Sequence, residues 1–225
     1  MQKILFFSLF MFTQILFGQN VILNKVEKVN DNTDKFLYRI DSANTEAQYL
    51  GEIEVQGFSN DDTEVFSKIY KKAKEIGANA FSWKPFENIE GGVQKIDPAH
   101  YRLSLYYLEG SKFPKEDNYI YLISSPYSKQ KIAVNGQNIT FEPRTYTKME
   151  LQPGTVYTIS TKKFLGTSIR LSAQENQPVQ YFQFSAFSVN ASDNGNAGIN
   201  LKSGDIVRLE QSYAQFLTTI YEFKP

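Results

Sequence analysis

The sequence predicts an α+β protein, a small strand-helix-strand-strand module followed by an antiparallel β-sandwich. Three observations predict it. A capped amphipathic stretch around residues 61–77 lies between segments that alternate with period two. An Asn135-Gly136 pair separates two alternating runs, the strongest short hairpin signal. Past residue 118 short strands follow one another between turn residues, as in sandwich domains.

Taken in order, residues 20–34 are polar and mixed, ending in Asn30-Asp31-Asn32-Thr33-Asp34, and read as a mobile leader or turn. Lys35 to Asp41 reads as a strand with Phe36, Tyr38 and Ile40 on one face. From Gly51 to Gly57, Ile53 and Val55 alternate with Glu52, Glu54 and Gln56, which marks a half-buried strand. The helix follows. Asn60 or Asp61 caps it, and Asp61 with Glu64 has capping-box spacing. Val65, Phe66, Ile69, Tyr70, Ala73 and Ile76 form its apolar stripe, and Gly77 stands where a left-handed stop is expected. Lys71, Lys72 and Lys74 near its end suit the helix dipole. Asn79 to Trp83 is a short strand. A loop through Pro85, Gly91-Gly92 and Pro98 leads to the alternating strand Tyr101–Leu108.

Residues 111–118, with Pro114 and several charges, read as a linker between a 20–110 module and a 119–225 sandwich. Strands are expected at Tyr119–Ser124, Lys131–Val134, Gln137–Phe141, Thr147–Leu151 and Thr155–Thr161, with Pro153-Gly154 turning between the last two. Further strands are expected at Ser168–Ala173, Gln180–Val189, Asp205–Gln211 and Thr218–Phe223, with no helix among them.

The N-terminus predicts compartment. A positive start, an apolar run of about 14 residues and a closing Gly18 match a secretory signal over the first nineteen or so residues, with cleavage before Gln19. The run is shorter than the roughly 20 apolar residues that span a bilayer. An exported protein is therefore expected, in the periplasm, at the outer-membrane surface or outside the cell, with no transmembrane segment after signal removal. Lys plus Arg equals Asp plus Glu, 24 each, which gives no general attraction for nucleic acid. With no cysteine, the exported units hold together without disulfides.

The stretch Gly51–Tyr107 resembles the small α+β module of the YbjQ-like and RcsF-like bacterial envelope families. Gly51-Glu-Ile-Glu-Val-Gln-Gly57, the capped helix and Ala73-Lys-Glu-Ile-Gly-Ala-Asn-Ala80 carry the likeness. Through Leu151-Gln-Pro-Gly154 and Leu201-Lys-Ser-Gly-Asp205 the second half resembles uncharacterised sandwich domains of bacterial envelope proteins. The RcsF likeness implies an envelope-stress sensor, a protein type that is a disulfide-bonded lipoprotein; neither feature is encoded here. The YbjQ likeness implies heavy-metal binding, yet soft metals take thiolate and imidazole ligands, and this chain has no Cys and one His. What the resemblance supplies is the fold.

No readable constellation carries catalysis, and the expected catalytic, cofactor and metal residues are none. Any Ser-His-Asp triad would have to use His100, which lies in Asp97-Pro-Ala-His100 without a nucleophile elbow anywhere in the chain. Asp193-Asn-Gly-Asn-Ala-Gly198 fails the calcium-loop pattern at Gly195 and Ala197. Lys68, Lys71, Lys72 and Lys74 read as a solvated face with Glu64–Lys68 and Lys71–Glu75 pairs rather than an anion site. Tyr119, Tyr121, Tyr181, Phe182, Phe184 and Phe187 divide between core packing and a carbohydrate platform. Asp41-Ser42-Ala43 resembles the short O-glycosylation signal of Bacteroidetes, while the Asn138 and Asn190 sequons matter only in a eukaryotic secretory host. The expectation is a non-enzymatic envelope protein that binds a partner protein or a polysaccharide. The alternatives are a secreted hydrolase with carboxylates assembled on the sandwich, or an RcsF-like sensor.

Overall fold

The structure is a computed structural model that describes residues 19–86, 96–161, 166–184, 202–203 and 205–225. It is α+β and packs as two units. One unit takes the chain up to Lys35 together with Ala47–Tyr107. The other takes Phe36–Glu46 and Leu108–Pro225. The chain thus crosses between units at 35–36, 46–47 and 107–108, and the sequence-based division at 111–118 runs through the second unit.

In the first unit, β1 (Asn20–Val26), β3 (Gln48–Gln56), β5 (His100–Tyr107) and β4 (Ala80–Lys84) form an antiparallel sheet in the order β1-β3-β5-β4. The helix α1 (Asp62–Glu75) supplies the apolar cover. Val65, Phe66, Ile69 and Ala73 are buried, as are Ile53, Val55, Leu103 and Leu105. The expected cap is present: the Asp61 carboxylate accepts the Glu64 N–H at 3.0 Å. Gly77 stops the helix at φ +73. Residues 20–26 are no leader. Val21 and Leu23 pair with Val55 and Ile53, so an alternation too short to read alone is completed by its neighbour. Gly51 permits this pairing, because a Cβ there would lie 2.3 Å from the Lys25 carbonyl oxygen.

The second unit holds two sheets. One has the order β11-β10-β7-β8, formed by Ser168–Ser172, Val156–Thr161, Gln130–Val134 and Gln137–Phe141. The other has the order β13-β14-β12-β6-β9-β15, formed by Lys202–Ser203, Ile206–Arg208, Gln180–Phe184, Tyr119–Ile123, Thr145–Glu150 and Glu222–Phe223. Asn135 and Gly136 both take positive φ, 50 and 81, and close the β7–β8 hairpin as the sequence predicts. Ile120, Leu122, Ile132, Val134, Phe141, Ile159, Phe182, Phe184 and Ile206 pack together as the core of this unit. Two pairings in the larger sheet are parallel, β12 with β6 and β15 with β9, so that sheet is mixed rather than purely antiparallel.

Two expectations for this half are corrected. Thr218–Phe223 is not a strand, and the half is not free of helix: α2 spans Gln211–Ile220, with β15 following it. Glu210 caps α2 by accepting the Tyr213 N–H at 3.1 Å. Residues 35–41 give only the two-residue strand β2 (Tyr38–Arg39). Leu37 N–H donates to Ser212 Oγ at 3.1 Å and Arg39 N–H to Gln215 Oε1 at 2.8 Å, which anchors this segment on α2. These additions explain why Gln180–Phe184 is aromatic on both faces. Phe182 and Phe184 enter the core, and Tyr181 faces the opposite side, where α2 packs on β12.

Candidate functional site

A cleft of about 800 Å³ opens within the second unit. Its walls come from four stretches: Tyr38–Asp41, Gly110 with Phe113–Asp117, Asn176 with Pro178–Tyr181, and Gln211 with Gln215 of α2; Tyr121 also lines it. Volume, aromatic walls and a few placed polar groups are what small-ligand sites share. Tyr38 and Phe113 meet edge to face at 5.6 Å, and Phe36 stacks behind Tyr38 at 4.5 Å.

Polar groups in the cleft fall into spent and unspent sets. The Tyr121 hydroxyl donates to Glu116 Oε2 at 3.0 Å, and Lys148 Nζ donates to Glu116 Oε1 at 2.9 Å, so both oxygens of this acid are occupied. Gln215 Nε2 donates to the Tyr181 hydroxyl at 3.3 Å. Burial pushes the phenols of Tyr121 and Tyr181 well above their ordinary range, since the low-dielectric surroundings oppose the phenolate. The Asp41 carboxylate accepts the Ala43 N–H at 2.9 Å and so holds its own turn. Arg39 Nη1 donates to the Thr218 carbonyl at 3.3 Å, and among the described residues its guanidinium has no carboxylate partner. Lys115, Asp117, Asn176 and Gln211 keep side-chain capacity not used within the described residues.

A second polar cluster lies on the sheet face of the first unit opposite α1. Glu52 is only 2% exposed, yet it pairs with Lys84, with Arg102 at 3.4 Å and with Asn24 at 3.4 Å. Burial alone would raise its pKa; the two cations outweigh it and hold the carboxyl below the usual range. His100 Nε2 contacts Glu54 Oε1 at 2.8 Å and its exposed ring lies 4.4 Å from Phe86. The Glu52 carboxylate is well partnered here, while the buried Arg102 Nε has no hydrogen-bond partner among the described residues.

The remaining candidates are placed as follows. Lys68 pairs with Glu64 at 2.6 Å, as the four-residue spacing predicts. Lys74 turns back to donate to the Ala78 carbonyl at 2.8 Å, and burial pulls its pKa down to about 8. Tyr119 lies under Lys148 Nζ at 4.1 Å. Phe182 and Phe184 belong to the core, and Tyr121 and Tyr181 to the cleft. Ser42 is exposed in the turn held by Asp41, and Asn138 is exposed on β8. Phe187, Asn190, Asp193–Gly198 and Gly91-Gly92 lie outside the described residues. Among the described residues no group of three His, Cys, Asp or Glu side chains is disposed to hold a metal, and no helix is long and apolar enough to cross a membrane.

Sequence reasoning found the two tyrosines but not the cleft. Arg39, Phe113, Glu116, Asn176 and Gln211 are far apart in the chain, and no local pattern announces them. Compared with known proteins, the chain matches no family model, no curated protein and no solved structure.

Proposed function

We propose that this chain is an exported, non-enzymatic envelope protein that holds a partner or an envelope polymer in the cleft of its second unit. The observation that carries the reading is the cleft itself, with aromatic walls and unspent polar side chains around a volume of about 800 Å³. The signal-like N-terminus supports export. The first unit, similar in sequence to the YbjQ-like and RcsF-like modules, belongs to the same envelope reading as an accessory module.

A binding role is favoured over hydrolysis by the state of the acids. Glycoside hydrolysis needs two carboxyls facing one reacting bond. Here Glu116 is engaged at both oxygens, Asp41 holds a turn, and Asp117 is exposed.

The test is affinity capture from envelope extracts of the native host on immobilised mature protein, beside a Gly110→Trp variant. Gly110 lines the cleft and a Cβ there meets nothing within 4 Å, so a bulky side chain can be placed at the cleft without a clash at its first atom. Retention by the wild type and loss by the variant is expected. Equal retention by both, or none by either, sinks the proposal.

A further inference from the structure

Resting on the reading of the cleft as a binding site, we infer that its ligand is an uncharged saccharide, a short stretch of neutral glycan. Charge is the first argument. Within the lining Arg39 and Lys115 stand against Asp41, Glu116 and Asp117, and Lys148 beside the cleft pairs with Glu116, so the remaining lining charges balance. Such a site does not steer a polyanion or a polycation toward it, because steering by charge needs an excess of one sign.

Hydrogen-bonding capacity is the second argument. Lys115, Asp117, Asn176 and Gln211 are unspent within the described residues, and Arg39, bonded to Thr218 through Nη1, keeps donors to spare. Arg39 and Lys115 only donate, Asp117 only accepts, and the Asn176 and Gln211 amides do both. A hydroxyl group also donates and accepts, so adjacent hydroxyls of a sugar can use every member of this mixed set. Arg39, Asp117, Asn176 and Gln211 end in planar groups, a shape that meets paired oxygens side by side. The aromatic rings of Tyr38 and Phe113 complete the match. They offer apolar surface to the C–H face of a pyranose while the polar groups take its rim.

Main-chain bonding separates a glycan from an extended peptide. A peptide strand adds to a sheet through free backbone groups. Backbone N–H groups in and beside the walls of this cleft are used internally. Leu37 and Arg39 N–H go to Ser212 and Gln215 side chains, Asn118 N–H goes to the Gln177 carbonyl at 2.8 Å, and Val179 N–H goes to the Glu116 carbonyl at 2.9 Å. These N–H groups are therefore not available to a peptide ladder.

The experiment is a titration of mature protein, followed by calorimetry, with uncharged pentasaccharides of β-1,4-glucose, α-1,4-glucose, β-1,4-xylose, β-1,4-mannose and β-1,4-N-acetylglucosamine. Penta-galacturonate and penta-alanine serve as comparators. At least one uncharged sugar is expected to bind, with a Kd that does not move between low and high salt. Gly110→Trp and Gln211→Leu are each expected to weaken it at least about tenfold. Gln211 makes no hydrogen bond through its side chain within the described residues, so its replacement breaks none. Binding of penta-galacturonate or penta-alanine alone overturns the inference, as does failure of all five neutral sugars. If those fail while envelope extract still yields cleft-dependent capture, the saccharide inference falls and the binding function stands. If both fail, both fall.

Discussion

Tyr121 and Tyr181 sit opposite each other on the parallel strands β6 and β12, and their rings stack 4.9 Å apart at 24°. Each hydroxyl is held from a different element, Tyr121 by Glu116 in the segment before β6 and Tyr181 by Gln215 on α2. The pair therefore ties together two of the stretches that frame the cleft, at the point where the larger sheet departs from antiparallel order.

Both phenols are raised by burial, so alkali tests this arrangement. An unfolded chain loses phenolic protons near pH 10 while the folded chain keeps these two. Their contribution to stability is complete below the ordinary phenol pKa and is lost as pH climbs toward the folded values. An ultraviolet titration of tyrosinate should leave at least two phenols unionised at about pH 11 in the folded protein. Their appearance together with loss of near-ultraviolet circular dichroism fits this account, and smooth ionisation of every tyrosine near pH 10 does not.

Glu52 behaves with the opposite sign. Its folded pKa lies below the ordinary carboxylate value, so its contribution is present above about pH 4.3 and fades as pH falls through the folded pKa. Glu52→Gln should cost about 1–3 kcal/mol at pH 7, because Lys84 and Arg102 lose a charged acceptor on a face where Glu52 is buried. The gap between the two proteins in urea denaturation should narrow as pH falls below about 4.3. A deficit that stays constant with pH would assign the loss to packing instead.

Lys74 is a half-neutral amine at about pH 8, because burial opposes its charge. It should acquire a mild acylating label at that pH ahead of Lys71 and Lys72, whose ammonium groups project from the same helix. Peptide mapping of the labelled protein reads this directly. Equal labelling of the three lysines would contradict the burial of Lys74.

Gly77 takes φ +73, and a Cβ there would come within 1.9 Å of the Asn30 carbonyl oxygen. Gly77→Ala should destabilise the first unit by more than about 2 kcal/mol, combining left-handed strain with displacement of the residue 30 backbone. A melting temperature within a degree of wild type would show that the 27–31 segment does not pack there.

The two helices show what the sequence could and could not reveal. Asp62–Glu75 is long, capped by Asp61 and stopped by Gly77, so local signals agree with its final structure. Gln211–Ile220 is only ten residues and ends in Thr218-Thr219-Ile220, a β-branched run that locally favours a strand. The spacing of Ala214, Leu217 and Tyr221 carries its helical period, and the Glu210 cap marks its start. Phe36–Glu46 was harder still. Its partners Ser212, Gln215 and Phe113 lie some 75 to 175 residues away, and nothing in the segment itself names them. The cleft inherits that difficulty, since its walls exist only after those long-range contacts form.

Hydrogen–deuterium exchange of the protein, with and without an uncharged pentasaccharide that it retains in titration, tests the cleft as a binding site. The account predicts slowed exchange in the amides of 38–41, 113–117 and 176–181, with residues 48–56 and 100–107 of the first unit unchanged. Protection confined to the first unit, or spread evenly through the chain, would contradict it.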